Sequence, residues 1–386
     1  MAGSGAGWGV IDCGGEFVGR VRAPDGEVMR RGLLRMVWAA GCVALLLGVA
    51  APAETPVRTL PGPALGRGRP DAAVRNAGCV GCHKQVAAEW QGSLHRAAYT
   101  HPSFVAALAR EPSGFCRGCH APEADVDRSP PPALARLGVG CVTCHVPGDV
   151  VLAAPRSDLA QETAPHAVRR SEEFAGDGAC AGCHEFTFPA GRALMQRTIA
   201  EHAASVNAGT ACAGCHMPGL AGGRRSHAFV ASRDPAFVAQ GVRVTARRDG
   251  SQVVLRLAPG SIGHAFPTGD LFRRLVVVAE VLEAGRVMRA DRRVLARHFD
   301  HVRRELWDDR VGAVAFVGPQ RPAVAGAPVR EGDEVVVSLE LGPPAYDREI
   351  RWRVQYERVA FPADDGDAAE VEASVTVAAG ELRPWE

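Results

Sequence analysis

The feature that most constrains this chain is a five-residue pattern that occurs five times. Cysteine, two variable residues, cysteine and histidine recur as Cys79-Val80-Gly81-Cys82-His83, Cys116-Arg117-Gly118-Cys119-His120, Cys141-Val142-Thr143-Cys144-His145, Cys180-Ala181-Gly182-Cys183-His184 and Cys212-Ala213-Gly214-Cys215-His216. Chance would supply such a pattern roughly 0.01 times per chain. Two thiols at this spacing can add to the two vinyl groups of one porphyrin, and the next residue is then held beneath the iron. The expectation is five covalently attached haems c, with the ten cysteines as attachment points. His83, His120, His145, His184 and His216 then supply the proximal nitrogens.

Zinc and disulfides explain the pattern less well. Zinc sites take Cys-x-x-Cys pairs in twos and close at four ligands, whereas five pairs do not divide evenly and zinc needs no histidine after every pair. Tight pairs at irregular intervals also make a poor disulfide framework. The motif starts are 37, 25, 39 and 32 residues apart, so the chain is not a solenoid. Five macrocycles within roughly 140 residues leave on the order of 28 residues for each. They must therefore pack against one another.

Composition fits that reading. The chain has 386 residues, 6% of them aromatic, with a formal net charge of +1. Few aromatics leave a core for bound cofactors to fill, and the balanced charge points to no nucleic acid. Lys84 is the only lysine. Along the chain, the basic stretch Met29–Arg35, the apolar run Met36–Ala51 and the small residues Ala51-Pro52-Ala53 have the three parts of a cleaved export signal. The apolar run is shorter than the roughly 20 residues of a membrane span. Residues 1–53 read as an extension and signal, which carries off Cys13 and Cys42 and directs the chain to the periplasm or a similar space. Residues 54–74 read as a Pro/Gly/Arg linker, and 75–235 as a mainly helical and irregular haem-packed domain.

From about residue 240 the pattern changes. Val242–Ala246 and Val253–Leu257 flank Asp249-Gly250, a hairpin signal. Strand-like runs follow at 273–283, 334–341, 349–359 and 370–377. They predict an antiparallel β-sandwich over 240–386, and hence an α+β chain.

Beyond the five motif histidines, eight remain: His95, His101, His166, His202, His227, His264, His298 and His301. Methionine is scarce after the signal, at Met195, Met217 and Met288. Bis-histidine ligation, with low potentials, is the default expectation.

At this point the chain resembles the cytochrome c554 group and its relatives around hydroxylamine oxidoreductase, over about residues 75–232. Trp90-Gln91-Gly92-Ser93-Leu94-His95 resembles a W-x-x-S-x-H element. Cys215-His216-Met217-Pro218 with Ser226-His227-Ala228-Phe229 resembles a C-H-M-P…H-x-F element. His166 lies upstream of the fourth motif, where that family often places a distal ligand. The resemblance implies His95, His166 and His227 as distal ligands. Gly263-His264-Ala265-Phe266-Pro267-Thr268-Gly269-Asp270 looks like an element of larger multihaem relatives, and its tight loop makes His264 a fourth candidate. His202 stands where relatives often carry tryptophan and reads as a non-ligand, and His101 is a weaker candidate. His298 and His301, in an arginine-rich stretch, read as solvated.

The functional expectation is an exported electron-transfer protein serving redox partner proteins, with peripheral association to a membrane electron-transport complex as one setting. The alternative is an oxidoreductase with one open iron, acting on a small nitrogen or sulfur compound. Pentahaem nitrite reductases carry a catalytic Cys-x-x-Cys-Lys motif, which is absent here. None of Tyr99, Tyr346 and Tyr356 stands where hydroxylamine oxidoreductase places its cross-linking tyrosine.

Overall fold

Each motif closes one short helix: Ala72–Cys82, Gly114–His120, Cys141–His145, Gly178–His184 and Cys212–His216. The i,i+3 spacing of the cysteines explains this, because one helical turn brings both thiols onto the same face. Such short helices need help at their ends. Asn76 Oδ1 accepts from the backbone N–H of Cys141 at 2.7 Å. Pro102 and Pro235 begin the helices Pro102–Arg110 and Pro235–Ala239, where a missing N–H costs nothing. The computed structural model describes residues 68–148, 150–155, 165–187, 194–300, 305–313, 327–360 and 369–384. The extension and signal expected over 1–53, and the linker up to residue 67, lie outside these. The first helix begins at Ala72, inside the segment read as linker.

The helical region builds little core of its own. Its buried cluster consists of Ala72, Trp90, Ala121, Ala124, Leu134, Leu137 and Val142. Trp90 anchors it by donating to Val139 O at 2.8 Å. Arg69 ties the chain entry to Glu123 at 2.5 Å and to Val146 O at 2.6 Å. The helices carrying the fourth and fifth motifs bury none of their residues. Side-chain packing therefore does not hold this region together by itself.

Two strand pairs interrupt it, and the sequence pattern did not reveal them. Val151–Ala153 (β1) runs parallel to Val168–Arg170 (β2). Glu185–Thr187 (β3) runs antiparallel to Leu194–Arg197 (β4). All four are too short for alternation to register.

The C-terminal region is a pair of antiparallel sheets, as the alternating runs require. Its strands are β5 (Val242–Asp249), β6 (Gln252–Pro259), β7 (Arg273–Glu283), β8 (Arg286–Asp300), β9 (Glu305–Asp308), β10 (Val329–Glu331), β11 (Glu334–Glu340), β12 (Glu349–Val359) and β13 (Val371–Leu382). One sheet has the order β10-β11-β6-β5 and the other β13-β12-β7-β8-β9. The β5–β6 turn places Gly250 at φ +61°, which glycine adopts without a Cβ clash. Inward side chains of both sheets, among them Leu255, Leu257, Leu275, Val277, Leu339, Ile350 and Val354, form a continuous core. The longest strand, β8, went unread in the sequence. Its arginines, among them Arg286, Arg289, Arg292, Arg293 and Arg297, mask the apolar alternation. The fold class is therefore α+β, a helical N-terminal region followed by antiparallel sheets.

The described residues fall in one compact unit, and a buried ion network joins its two regions. Arg310, 2% exposed, pairs with Asp308 at 2.7 Å in the β region. It pairs equally with Glu201 at 2.5 Å in the helix Thr198–Ala203. Its other nitrogens donate to Pro267 O at 2.7 Å and Asp308 Oδ1 at 2.9 Å. Thr268 donates to the second Glu201 oxygen at 2.8 Å. The two carboxylates hold Arg310 firmly charged despite its burial. Removing one member of such a cluster leaves an uncompensated buried charge. Arg310→Ala is expected to destabilise the protein by about 3–5 kcal/mol, measured as a lowered denaturation midpoint. An unchanged midpoint would show that the network adds nothing to stability.

Candidate functional site

The motif helices aim five imidazoles into the space between them. A metal–imidazole bond of about 2.0–2.1 Å and a ring radius of about 1.1 Å set two rings sharing one metal about 6.3 Å apart. Four motif histidines have a second histidine at that distance. The centroids of His83 and His166 are 6.4 Å apart, and those of His184 and His95 also 6.4 Å. His145 and His227 are 6.1 Å apart, and His216 and His264 6.2 Å. Each pair unites one motif with one of the four histidines named from the sequence. None of the partners lies next to its motif in the chain.

Backbone carbonyls aim these rings. His145 Nδ1 lies 2.8 Å from Leu152 O, His216 Nδ1 2.7 Å from Val230 O and His120 Nδ1 2.8 Å from Ala98 O. The same holds across the pairs, where His227 Nδ1 is 3.0 Å from Arg225 O and His264 Nδ1 2.9 Å from Ala265 O. A carbonyl can only accept, so Nδ1 carries the proton and Nε2 keeps its lone pair for a metal. Burial also favours the neutral form of six of the rings. It pulls His95 down to about 3 and His184 to about 4, and nearby histidines add to both shifts. His120, His145, His227 and His264 are lowered too, with burial the largest cause.

His120 differs. Among the described residues no histidine ring stands at axial spacing from it. Phe104 lies against its face instead, 3.9 Å away and nearly parallel at 13°. This stacking buttresses the ring but supplies no donor.

The remaining histidines have other partners. His202 Nδ1 donates to Gly263 O at 2.7 Å, and its Nε2 faces Asp177 at 3.4 Å. Nε2 makes no hydrogen bond, and through Nδ1 the ring bridges the helical region to the His264 loop. His101 accepts from Ser103 N at 3.2 Å and caps the helix Pro102–Arg110. His298 corrects the expectation of a solvated ring. It is 4% exposed, lies 3.0 Å from Asp309 and stacks on Trp307. The β8–β9 pairing draws it inside, which the surrounding arginines concealed. His301 lies outside the described residues.

Cysteines of different motifs also meet. The Cys79 and Cys141 thiols are in hydrogen-bonding contact, as are Cys119 with Cys183 and Cys180 with Cys212. These contacts join motif one to three, two to four and four to five. Phe229 adds a bridge between pairs, its ring 4.3 Å from His95 and 5.9 Å from His227. It holds φ +52°, uncommon for a bulky side chain. Among the described residues no three His, Cys, Asp or Glu side chains gather as a zinc site would require. Nor is any described helix long and apolar enough to cross a membrane.

A clamp missed by the sequence reading positions His227. Glu89, six residues after the first motif, receives both Arg224 terminal nitrogens at 2.9 and 2.7 Å. It also accepts from the backbone N–H of His227 at 2.9 Å. The Arg224 guanidinium holds the Glu89 carboxyl down at about 2. No local motif marks this pair, because its partners are 135 residues apart.

Comparison with known proteins finds multihaem cytochromes. Residues 78–146, spanning the first three motifs, match the family described as cytochrome c554 and c-prime. The structure is similar to that of a penta-heme cytochrome c552 from Thermochromatium tepidum. That match has 19% identity and a TM-score of 0.57, and covers 79% of this chain and 97% of that one. No curated protein matches the chain.

Glu89→Ala removes a charged acceptor from the His227 amide, a bond type worth about 1.5–3 kcal/mol. Hydrogen exchange in the 224–229 segment should accelerate by about tenfold or more, with the helix Lys84–Gln91 still protected. Unchanged exchange would show that the clamp does not order this loop.

Proposed function

We propose that this chain is an exported pentahaem cytochrome c that carries electrons through closely packed haems, four of them closed by two histidines. The observation carrying this reading is the set of four imidazole pairs at 6.1–6.4 Å, each containing one motif histidine. When bound, haem c supplies reversible one-electron iron chemistry. The residues present fit it. The ten motif cysteines form the thioether attachments, and the small helical core leaves room for macrocycles to complete the packing.

The chain's own groups then have defined tasks. His83 with His166, His184 with His95, His145 with His227 and His216 with His264 would each hold one iron between two rings, and in His145, His216, His227 and His264 the Nδ1 bond leaves Nε2 free for it. Such paired imidazoles favour lower potentials than a histidine–methionine site. Backbone carbonyls orient the His145, His216, His227 and His264 rings, while the His83–His166 pair stands exposed at the surface. Contacts between motif cysteines make motif four a junction, touching motifs two and five, while motif one touches motif three. The Met29–Ala53 signal supports a periplasmic setting, with redox proteins as partners and a membrane electron-transport complex as one docking point.

His120 supports a second reading, in which one iron keeps an open position for a small ligand. An EPR spectrum of the oxidised protein separates the two, since six-coordinate haems are low-spin and a five-coordinate one is high-spin. Denatured protein should carry five haems per chain, retained through acid–acetone extraction, and at least four low-spin signals. His264→Ala should convert one low-spin haem to high spin. Extractable haem, or an unchanged spectrum in that variant, would overturn the assignment. A high-spin signal in the unmodified protein that shifts with nitrite or hydroxylamine would favour the enzymatic reading.

A further inference from the structure

One cleft is used by none of the ligand pairs. It has a volume of about 440 Å³ and lies where the start of the helix Pro102–Arg110 and the 231–234 segment meet β12 and β13. We propose that this cleft binds an oxyanion group, gripped by Arg233 and Arg358 with His101, Ser103 and Ser232 as further donors. The inference is independent of how the irons are used.

The charges argue for it first. Arg233 and Arg358 both line the cleft, and among the described residues neither is paired with a carboxylate. Burial first, and then Arg358 and Arg273, weaken the charged form of Arg233. The opposing acids are Glu372, at the exposed rim, and Asp270, which is already 3.7 Å from Arg273. Three guanidiniums thus face two carboxylates, leaving a surplus of positive charge in a partly enclosed space. Guanidinium forks match the geometry of an oxyanion and grip it with two parallel hydrogen bonds.

The neutral donors argue for it next. His101 Nδ1 accepts from Ser103 N, so its proton sits on Nε2, where it can be donated. Burial, Arg233 and Arg358 lower the His101 pKa, so this ring acts as a neutral donor. The cleft also stands at the positive end of the nine-residue helix Pro102–Arg110. Its floor is Tyr356, 4% exposed and hydrogen-bonded to Ser232. The volume suits a small ligand with some water.

The position gives an anion here something to act on. Phe104, one turn into the same helix, stacks on His120. Tyr356 stacks at 5.9 Å on Phe266, two residues beyond His264. A bound anion would therefore lie behind the ring that stacks on His120 and beside the loop that carries His264. Negative charge there favours their oxidised state, and by linkage the oxidised protein binds the anion more tightly.

Two sources share this chemistry: a free inorganic oxyanion, or a propionate of the haem attached at Cys116 and Cys119. Calorimetric titration of oxidised holoprotein with sulfate in chloride buffer, beside a redox titration, tells them apart. For a free anion, sulfate binds one to one. Arg233→Gln and Arg358→Gln each weaken it by about tenfold or more, and Glu372→Gln tightens it. That gain cannot come from misfolding. For a propionate, sulfate does not bind, but either arginine variant shifts one haem potential while haem content and melting stay unchanged. The proposal is overturned if sulfate binds equally to wild type and both arginine variants. It is equally overturned if sulfate does not bind and no potential moves.

Discussion

An imidazole has two nitrogens, and this structure depends on what happens to the first of them. In five of the rings a backbone carbonyl accepts the Nδ1 proton, from Leu152, Val230, Ala98, Arg225 and Ala265. That bond fixes the tautomer and the ring plane together. The second nitrogen is then left unprotonated and free to meet a metal. The helical segments carry few buried contacts of their own, and much of their arrangement serves these bonds. Segments 95–101, 150–155 and 224–230 are shaped by which carbonyl or ring they must present.

The β region has the opposite economy. Its two sheets form a continuous aliphatic core, and it can therefore support a loop of unusual demands. The loop between β6 and β7 carries His264 to His216, while Gly263 O is held by His202 and Pro267 O by Arg310. Gly263 is required there, since a Cβ would lie 2.6 Å from His202 Nδ1. Arg310, Asp308 and Glu201 then lock the loop to the helical region through charges that are costly to bury and costlier to separate. A rigid sheet thereby positions a ligand for a region that has little rigidity of its own.

Cleft and ligand pairs share this frame. The helix that supports His120 through Phe104 begins at His101 in the cleft, and Tyr356 in its floor reaches the His264 loop through Phe266. Groups concerned with charge at the surface are thus one or two contacts from groups concerned with iron.

How much of this was legible in the chain follows from the range of each interaction. The five motifs announce their chemistry within five residues, because covalent attachment and proximal ligation are local. The β hairpins show in period-two runs and in Asp249-Gly250, while β8 hides its alternation behind arginines. The residue types of His95, His166, His227 and His264 marked them as ligand candidates. Their pairing was not readable, since His264 meets His216 and His95 meets His184 only after the chain has folded back on itself. Glu89 with Arg224, and Glu201 with Arg310, carry no local mark either, lying 135 and 109 residues apart. The sequence by itself determined which groups a cofactor would use, because those bonds are made by neighbours along the chain. Tertiary structure alone decided which ring faces which, and where unpaired positive charge collects, because those depend on distances through space.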